Sequence, residues 1–134
     1  MTGVRKTGTL RILQIEDSPT DAELVRIALM QSGLDCEIRL ATCYSEYLAA
    51  LELGAPDLIL SDSRGYDFEG LMVLRQVRLR FPDVPFLFLF LFLSGSYLGK
   101  DTAALMAEGA ADCLLKDDLD ALAPGIRRAL ERRR

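Results

Sequence analysis

Residues 57–62 read DLILSD, and this stretch decides the fold. Leu58, Ile59 and Leu60 leave no polar position on either face, and acids stand at both ends. A strand with one wet face alternates apolar and polar residues. A strand apolar on both faces belongs at the centre of a parallel sheet covered by helices on each side. The stretch from Asp57 to Ser61 is therefore read as a central strand, with Asp62 at its carboxyl end. Working backwards, Gly54-Ala55-Pro56 stops a helix over Tyr44–Leu53, and Cys36–Leu40 is a short strand. Leu10–Ile15 (LRILQI) is a further strand. The helix after it opens at Ser18-Pro19 and runs to about Ser32, where Gly33 stops it. Asp21, three residues after Ser18, places a negative charge in the first turn, where the helix dipole favours it.

Working forwards, Gly70–Arg80 is a helix with Leu71, Leu74, Val77 and Arg78 at helical spacing, and Phe86–Leu93 is a strand. Asp101–Glu108 is a helix stopped by Gly109, Asp112–Leu115 is a strand, and a last helix runs from about Asp118 to Glu131. Pro124 is a candidate for its first truly helical residue, with a turn before it. Five strands alternating with five helices imply a doubly wound α/β fold: a five-stranded parallel sheet with helices on both faces and right-handed crossovers.

Composition bounds the chemistry. The 134 residues suffice for one domain, 50% are hydrophobic and 27% charged, and the net charge of −4 disfavours nucleic acid or an anionic membrane as partner. Residues Met1–Thr9 are polar and basic, without a signal-peptide pattern, and the apolar run Val84–Leu93 is too short for a membrane-spanning helix. Three cysteines (Cys36, Cys43, Cys113) without CxxC spacing fit a reducing, cytoplasmic setting. The chain has no histidine, which excludes Ser-His-Asp triads, Cys-His pairs, HExxH zinc sites and phosphohistidine carriers.

In such folds the site lies at the carboxyl ends of the strands. There stand Glu16 and Asp17 after the first strand, Asp62 after the third, Ser94 and Gly95 after the fourth, and Lys116 after the fifth. Clustered carboxylates repel and call for a cation, and oxygen-only ligands suit Mg²⁺. A cation beside an aspartate lets it meet a phosphoryl donor without charge repulsion. Each residue also has a plain reading: Glu16 as a solvated loop acid, Asp17 as a helix cap, Asp62 and Ser94-Gly95 as turn residues, and Lys116 and Arg64 as surface charges. The set carries the inference, and no single member does.

The stretches ILQIEDSPTDAELV, DLILSD, FLSG and EGAADCLLK, in this order, resemble the CheY-like receiver family of bacterial two-component response regulators. The resemblance covers roughly Leu10–Leu130. It implies Asp62 as phosphoacceptor, Glu16 and Asp17 as the Mg²⁺ pair, the backbone carbonyl of Arg64 as a further metal ligand, Ser94 as the switch hydroxyl and Lys116 as the phosphate-pairing lysine. A sensor histidine kinase or phosphotransfer protein would supply the phosphoryl group. A downstream protein would read the face made by the fourth helix, fifth strand and fifth helix. Such a protein is a phosphoacceptor with at most self-catalysed transfer and autodephosphorylation, not an enzyme. The expected organisation is a tail over 1–9, the receiver over 10–131 and a tail over 132–134. No output segment follows Arg134 in the sequence, so output is expected by protein contact. The ending KDDLDALAPGIRRAL is similar to receivers found with sensor-kinase pathways.

Four departures stand out. The loop SRGYDFEG after Asp62 has Gly65 and Tyr66 where the family usually has a proline. Cys113 stands three before Lys116, where the family usually has an aromatic that turns on activation; Tyr97 is a possible substitute. Asp117 follows Lys116 in place of a common proline. Lastly, FLFLFLFL separates Pro85 from Ser94, four residues more than is usual, as if FLFL were duplicated. Four strand residues span about 13 Å, so a strand extended in place would carry Ser94 well past Asp62. Three escapes are open: a longer loop before the strand, a bulge, or pairing with a second copy through an exposed Phe/Leu strand. The first and third are favoured. The main alternative is thus a phosphorylation-independent interaction module (a pseudo-receiver), dimerising or strand-swapped through this segment. An aspartate-nucleophile phosphatase is disfavoured because Arg64 replaces the second acid of DxD, and a dinucleotide enzyme because no GxGxxG follows the first strand.

Overall fold

A computed structural model describes residues 9–62, 70–90, 103, 105–116 and 118–132. Five strands, β1 (Leu10–Ile15), β2 (Cys36–Ala41), β3 (Leu58–Asp62), β4 (Phe86–Phe90) and β5 (Asp112–Leu115), form one parallel sheet in the order β2-β1-β3-β4-β5. The described helices are α1 (Pro19–Gln31), α2 (Tyr44–Glu52), α3 (Gly70–Arg80) and α4 (Leu122–Arg132), the last preceded by a 3₁₀ turn over Leu119–Ala121. Helical residues are also described at 103 and 105–107, within the helix expected over 101–108.

The sheet is covered on both faces, as the all-apolar β3 requires. Leu13, Ile15, Ile59, Phe86 and Phe88 pack with Tyr47 and Leu51 of α2 and Val73, Leu74 and Val77 of α3. Alternate strand positions Ile12, Leu58, Leu60, Leu87 and Leu89 pack with Val25 and Leu29 of α1 and Leu122, Ile126 and Ala129 of α4. The period of two along each strand thus sorts the core into two layers. Tyr47 crosses one layer, and its hydroxyl donates to the Val73 carbonyl at 3.1 Å, so its one polar atom is satisfied.

Local signals explain the element ends. Ser18 caps α1, its Oγ accepting from the Asp21 amide at 3.3 Å. Gly33 follows the helix with φ of +81°, a conformation that side chains with a Cβ resist. At the last helix the outcome is more specific than expected. The 3₁₀ turn occupies Leu119–Ala121, and Pro124 lies inside the first turn of α4 rather than at its first residue. Amides in a first helical turn have no intrahelical acceptor, so the missing N–H costs nothing there.

Strand four departs from the expected escape. β4 begins at Phe86, directly after Pro85, and pairs with β3 from its first residue: Ile59 with Phe86 and Asp62 with Leu89. The Pro85 carbonyl itself accepts from the Ile59 amide at 3.0 Å. The extra residues therefore do not lengthen the loop before the strand. The described strand ends at Phe90, and the expected continuation to Leu93 lies outside the described residues, as do Ser94 and Tyr97.

Leu60 is fully buried in the central strand, whereas Leu79 on α3 is 86% exposed. Leu60→Ala should lower unfolding stability by about 2–5 kcal/mol, because transfer and cavity terms add. Leu79→Ala should change it by less than about 0.5 kcal/mol. Urea unfolding of the two variants against the parent measures both.

Candidate functional site

The strand order reverses direction between β1 and β3, and the carboxyl ends of these two strands carry the acids. Glu16 and Asp17 leave β1, and Asp62 closes β3. One carboxylate oxygen from each of Glu16, Asp17 and Asp62 lies within 4.8 Å of the others. Glu16 is buried, with its Oε2 accepting from the Ser18 amide at 3.2 Å. The cap that starts α1 and the acid that ends β1 are thus locked together within three residues.

Lys116, just past β5, reaches this group from the far side. Its ammonium nitrogen lies 2.9 Å from Glu16 Oε1, 2.9 Å from Asp21 Oδ2 and 3.3 Å from Asp62 Oδ1, and the side chain is only 10% exposed. The Glu16 contact rests on charge rather than direction: the approach lies off the line a hydrogen bond needs. Toward Asp21, by contrast, Lys116 donates a hydrogen bond. Burial pushes the Glu16 carboxyl above its ordinary range. Lys116 pulls it back and the Asp62 charge adds to the rise. For Lys116, burial works against the charged form, yet the hydrogen bond to Asp21 and the close carboxylates of Glu16 and Asp62 outweigh it, so its pKa is raised. The lysine stays cationic throughout the neutral range.

The structure therefore brings together Glu16, Asp17, Asp62 and Lys116 as expected from the sequence. Ser94 and Arg64 lie outside the described residues. Asp21 was read from the sequence as a dipole-favoured first-turn acid, and it is also part of the lysine's surroundings. No signal in the sequence announced this second role: Asp17 precedes the Ser18 cap, so it and Asp21 do not share a helical face. Cys113 packs partly buried against the α2/α3 layer, and burial first, then the charge of Asp112, pushes its thiol up to about 11. It is a packing residue and a poor nucleophile.

The donor chemistry suits a hard divalent cation. Three close carboxylates, Glu16, Asp17 and Asp62, offer oxygen alone, and Glu16, Asp21 and Asp62 surround one ammonium.

The model of the response regulator receiver domain family matches residues 12–127, and the chain belongs to that family. Among curated relatives, the regulatory protein LuxO of Vibrio vulnificus (strain YJ016) is 35% identical over 103 residues, covering 76% of this chain and 21% of the relative. The transcriptional regulatory protein TrcR of Mycobacterium tuberculosis is 32% identical over 124 residues, covering 92% of this chain and 46% of the relative. The chain thus spans less than half the length of these relatives. Among solved structures, a response regulator receiver domain protein from Clostridium thermocellum superposes with a TM-score of 0.78 at 23% identity, covering 92% of this chain and 95% of that one. The signal receiver domain of a signal transduction histidine kinase from Syntrophus aciditrophicus gives 0.74 at 26% identity, covering 91% and 90%. The CheY-like receiver fold expected from the sequence is the fold observed.

The register of β4 bears on the site. Leu89 pairs with Asp62, so the next position, one step toward the carboxyl edge, belongs to Phe90, which pairs with Leu115 beside Lys116. Ser94 comes four residues later. Deleting Phe90–Leu93 would bring Ser94 to the fifth strand position with the alternation of faces kept. Its hydroxyl could then donate to a phosphoryl group on Asp62. The deletion variant should take up phosphoryl from a small-molecule donor several-fold faster than the parent, followed by intact mass. Equal rates would mean that the parent already presents a hydroxyl to Asp62.

Proposed function

We propose that this chain is a phosphoacceptor receiver: Asp62 accepts a phosphoryl group from a sensor histidine kinase or a phosphotransfer protein. The observation that carries this reading is the convergence of Glu16, Asp17 and Lys116 on Asp62 at the carboxyl edge of the sheet. Glu16, Asp17 and Asp62 would hold Mg²⁺, which when bound neutralises charge between the aspartate and an incoming phosphoryl group. An Asp62 carboxylate oxygen attacks phosphorus, the bond from phosphorus to the donor's leaving atom breaks, and an acyl phosphate results. Lys116 is placed to pair with the phosphoryl oxygens of that product. Ser94, as hydroxyl donor, and the Arg64 carbonyl, as a further metal ligand, enter this reading from the family resemblance alone.

The protein in this reading is a signalling phosphoacceptor and not an enzyme, with self-catalysed transfer and autodephosphorylation as its only chemistry. The receiver in this reading occupies 10–131, and α4 runs one residue further, to Arg132. Among the described residues no helix is long and apolar enough to cross a membrane, and a cytoplasmic setting, where the kinase's phosphoryl group is available, fits the reading. Leu24, Ile27 and Met30 are exposed along α1, the helix that starts beside the acids, and offer apolar contact to an incoming protein. The downstream partner is a protein as well. The net charge of −4 speaks against direct contact with nucleic acid or an anionic membrane by this unit.

One observation favours a second reading. With β4 entered at Phe86, the expected hydroxyl falls four residues beyond Phe90. A phosphorylation-independent interaction module, a homodimer or strand swap through FLFLFLFL, would need no hydroxyl there.

Intact mass after incubation with Mg²⁺ and a small-molecule phosphodonor separates the two. The expected result is a gain of one phosphoryl group that is absent in Asp62→Asn. No gain in the parent, or an equal gain in the variant, would reject Asp62 as the acceptor and leave the interaction module.

A further inference from the structure

We propose that Asp21 is a positioning residue that competes with the phosphoryl group on Asp62 for the ammonium of Lys116. The inference rests on the reading of Asp62 as acceptor and concerns a residue which that reading does not use. Three carboxylates surround the ammonium, and a lysine has three N–H groups to give. Asp21 holds the better-placed share: a hydrogen bond at 2.9 Å, against a 3.3 Å ion pair with Asp62. Asp21 is also fixed from behind. Its amide is held by the Ser18 cap, and Ser18 is tied in turn to Glu16. The Asp21 backbone is therefore set in the first turn of α1, and its carboxylate, 31% exposed, lies outside the group of Glu16, Asp17 and Asp62.

A phosphoryl group on Asp62 moves the negative charge outward onto new oxygens. Lys116 already touches Asp62, and to give the new oxygens more than that one contact it must release Glu16 or Asp21. Glu16 is buried, and leaving it without the lysine would strand a carboxylate away from water. Asp21 is partly solvated, so water can replace the lysine there at little cost. The exchange thus runs between Asp21 and the phosphoryl group, and Asp21 weakens the hold of the site on its product.

The test uses beryllofluoride, an anionic mimic of a phosphoryl group on a carboxylate, titrated at saturating Mg²⁺ against the parent, Asp21→Asn, Lys116→Met and the double variant. Asp21→Asn should bind the mimic roughly two- to five-fold more tightly, the range set by a partly exposed ion pair. In the Lys116→Met background the same change should have no effect, since no ammonium is left to compete for. Asp21→Ala serves as a second variant, and urea unfolding confirms that each is folded. A gain of equal size with and without Lys116 would show that Asp21 acts by general charge repulsion and would overturn the proposal. Weaker binding in Asp21→Asn would show that Asp21 aims the lysine at the anion, and would overturn it too. No effect of Asp21→Asn in a parent that does bind the mimic defeats this inference alone. A parent that fails to bind it, or binds it equally as Asp62→Asn, defeats the functional reading and this inference together.

Discussion

The nearly buried ammonium of Lys116 sits among acids delivered by three different elements, and the arrangement of the carboxyl edge depends on it. Glu16 comes from the end of β1, Asp21 from the first turn of α1 and Asp62 from the end of β3. Like charges this close would drive the loops apart if nothing stood between them. The lysine offsets part of that repulsion; the Glu16 carboxyl is still raised, by its burial first and by the charge of Asp62 to a lesser degree. Counting Asp17, which lies with Glu16 and Asp62, the edge gathers four carboxylates and one ammonium, a surplus of three negative charges when all are ionised. Such a surplus favours a cation at this edge.

The second constraint is the way strand four is entered. A run of FLFLFLFL looks the same after any slide of two residues, so the repeat alone cannot say which part pairs with β3. The turn before it decides. The Phe81 amide bonds back to the Val77 carbonyl and the Val84 amide to the Phe81 carbonyl, while the Arg78 guanidinium donates to the carbonyls of Pro82 and Val84. Pro85 then meets Ile59 and Phe86 meets Ala111 through the backbone. With the end of α3 and the turn held this firmly, slack before the strand is removed and the repeat is consumed from its first residue. Any consequence of the extra four residues is pushed to the carboxyl end of β4, which is the end that faces the chemistry.

Much of the fold could be read from short-range signals because those signals are local. β1 and β5 run between the residues expected, Ser18 caps α1, and Gly33 ends it in a left-handed conformation. The two-faced burial of β3 follows directly from its lack of polar positions. The meeting of Glu16, Asp17, Asp62 and Lys116 could be read too, because the doubly wound topology sends every carboxyl strand end to one edge. Three things could not. Pro124 was compatible with two helix starts, and only packing of Leu122 and Ala123 in the core selects the earlier one. The register of β4 required the turn before it. The role of Asp21 required a contact across 95 positions of chain, and no pattern within α1 announces a lysine at the end of β5.

The division of labour between core and edge follows from these facts. Both apolar layers are built without the acids: Leu60, Phe88, Leu74 and Ile126 are fully buried. Stability can therefore be supplied by the layers while the edge carries unbalanced charge, a state that would be untenable in a domain whose core included those groups. Among the described residues, Lys116 is the group that touches the acids following β1, within α1 and ending β3 at once, and so ties the edge to the layers beneath it.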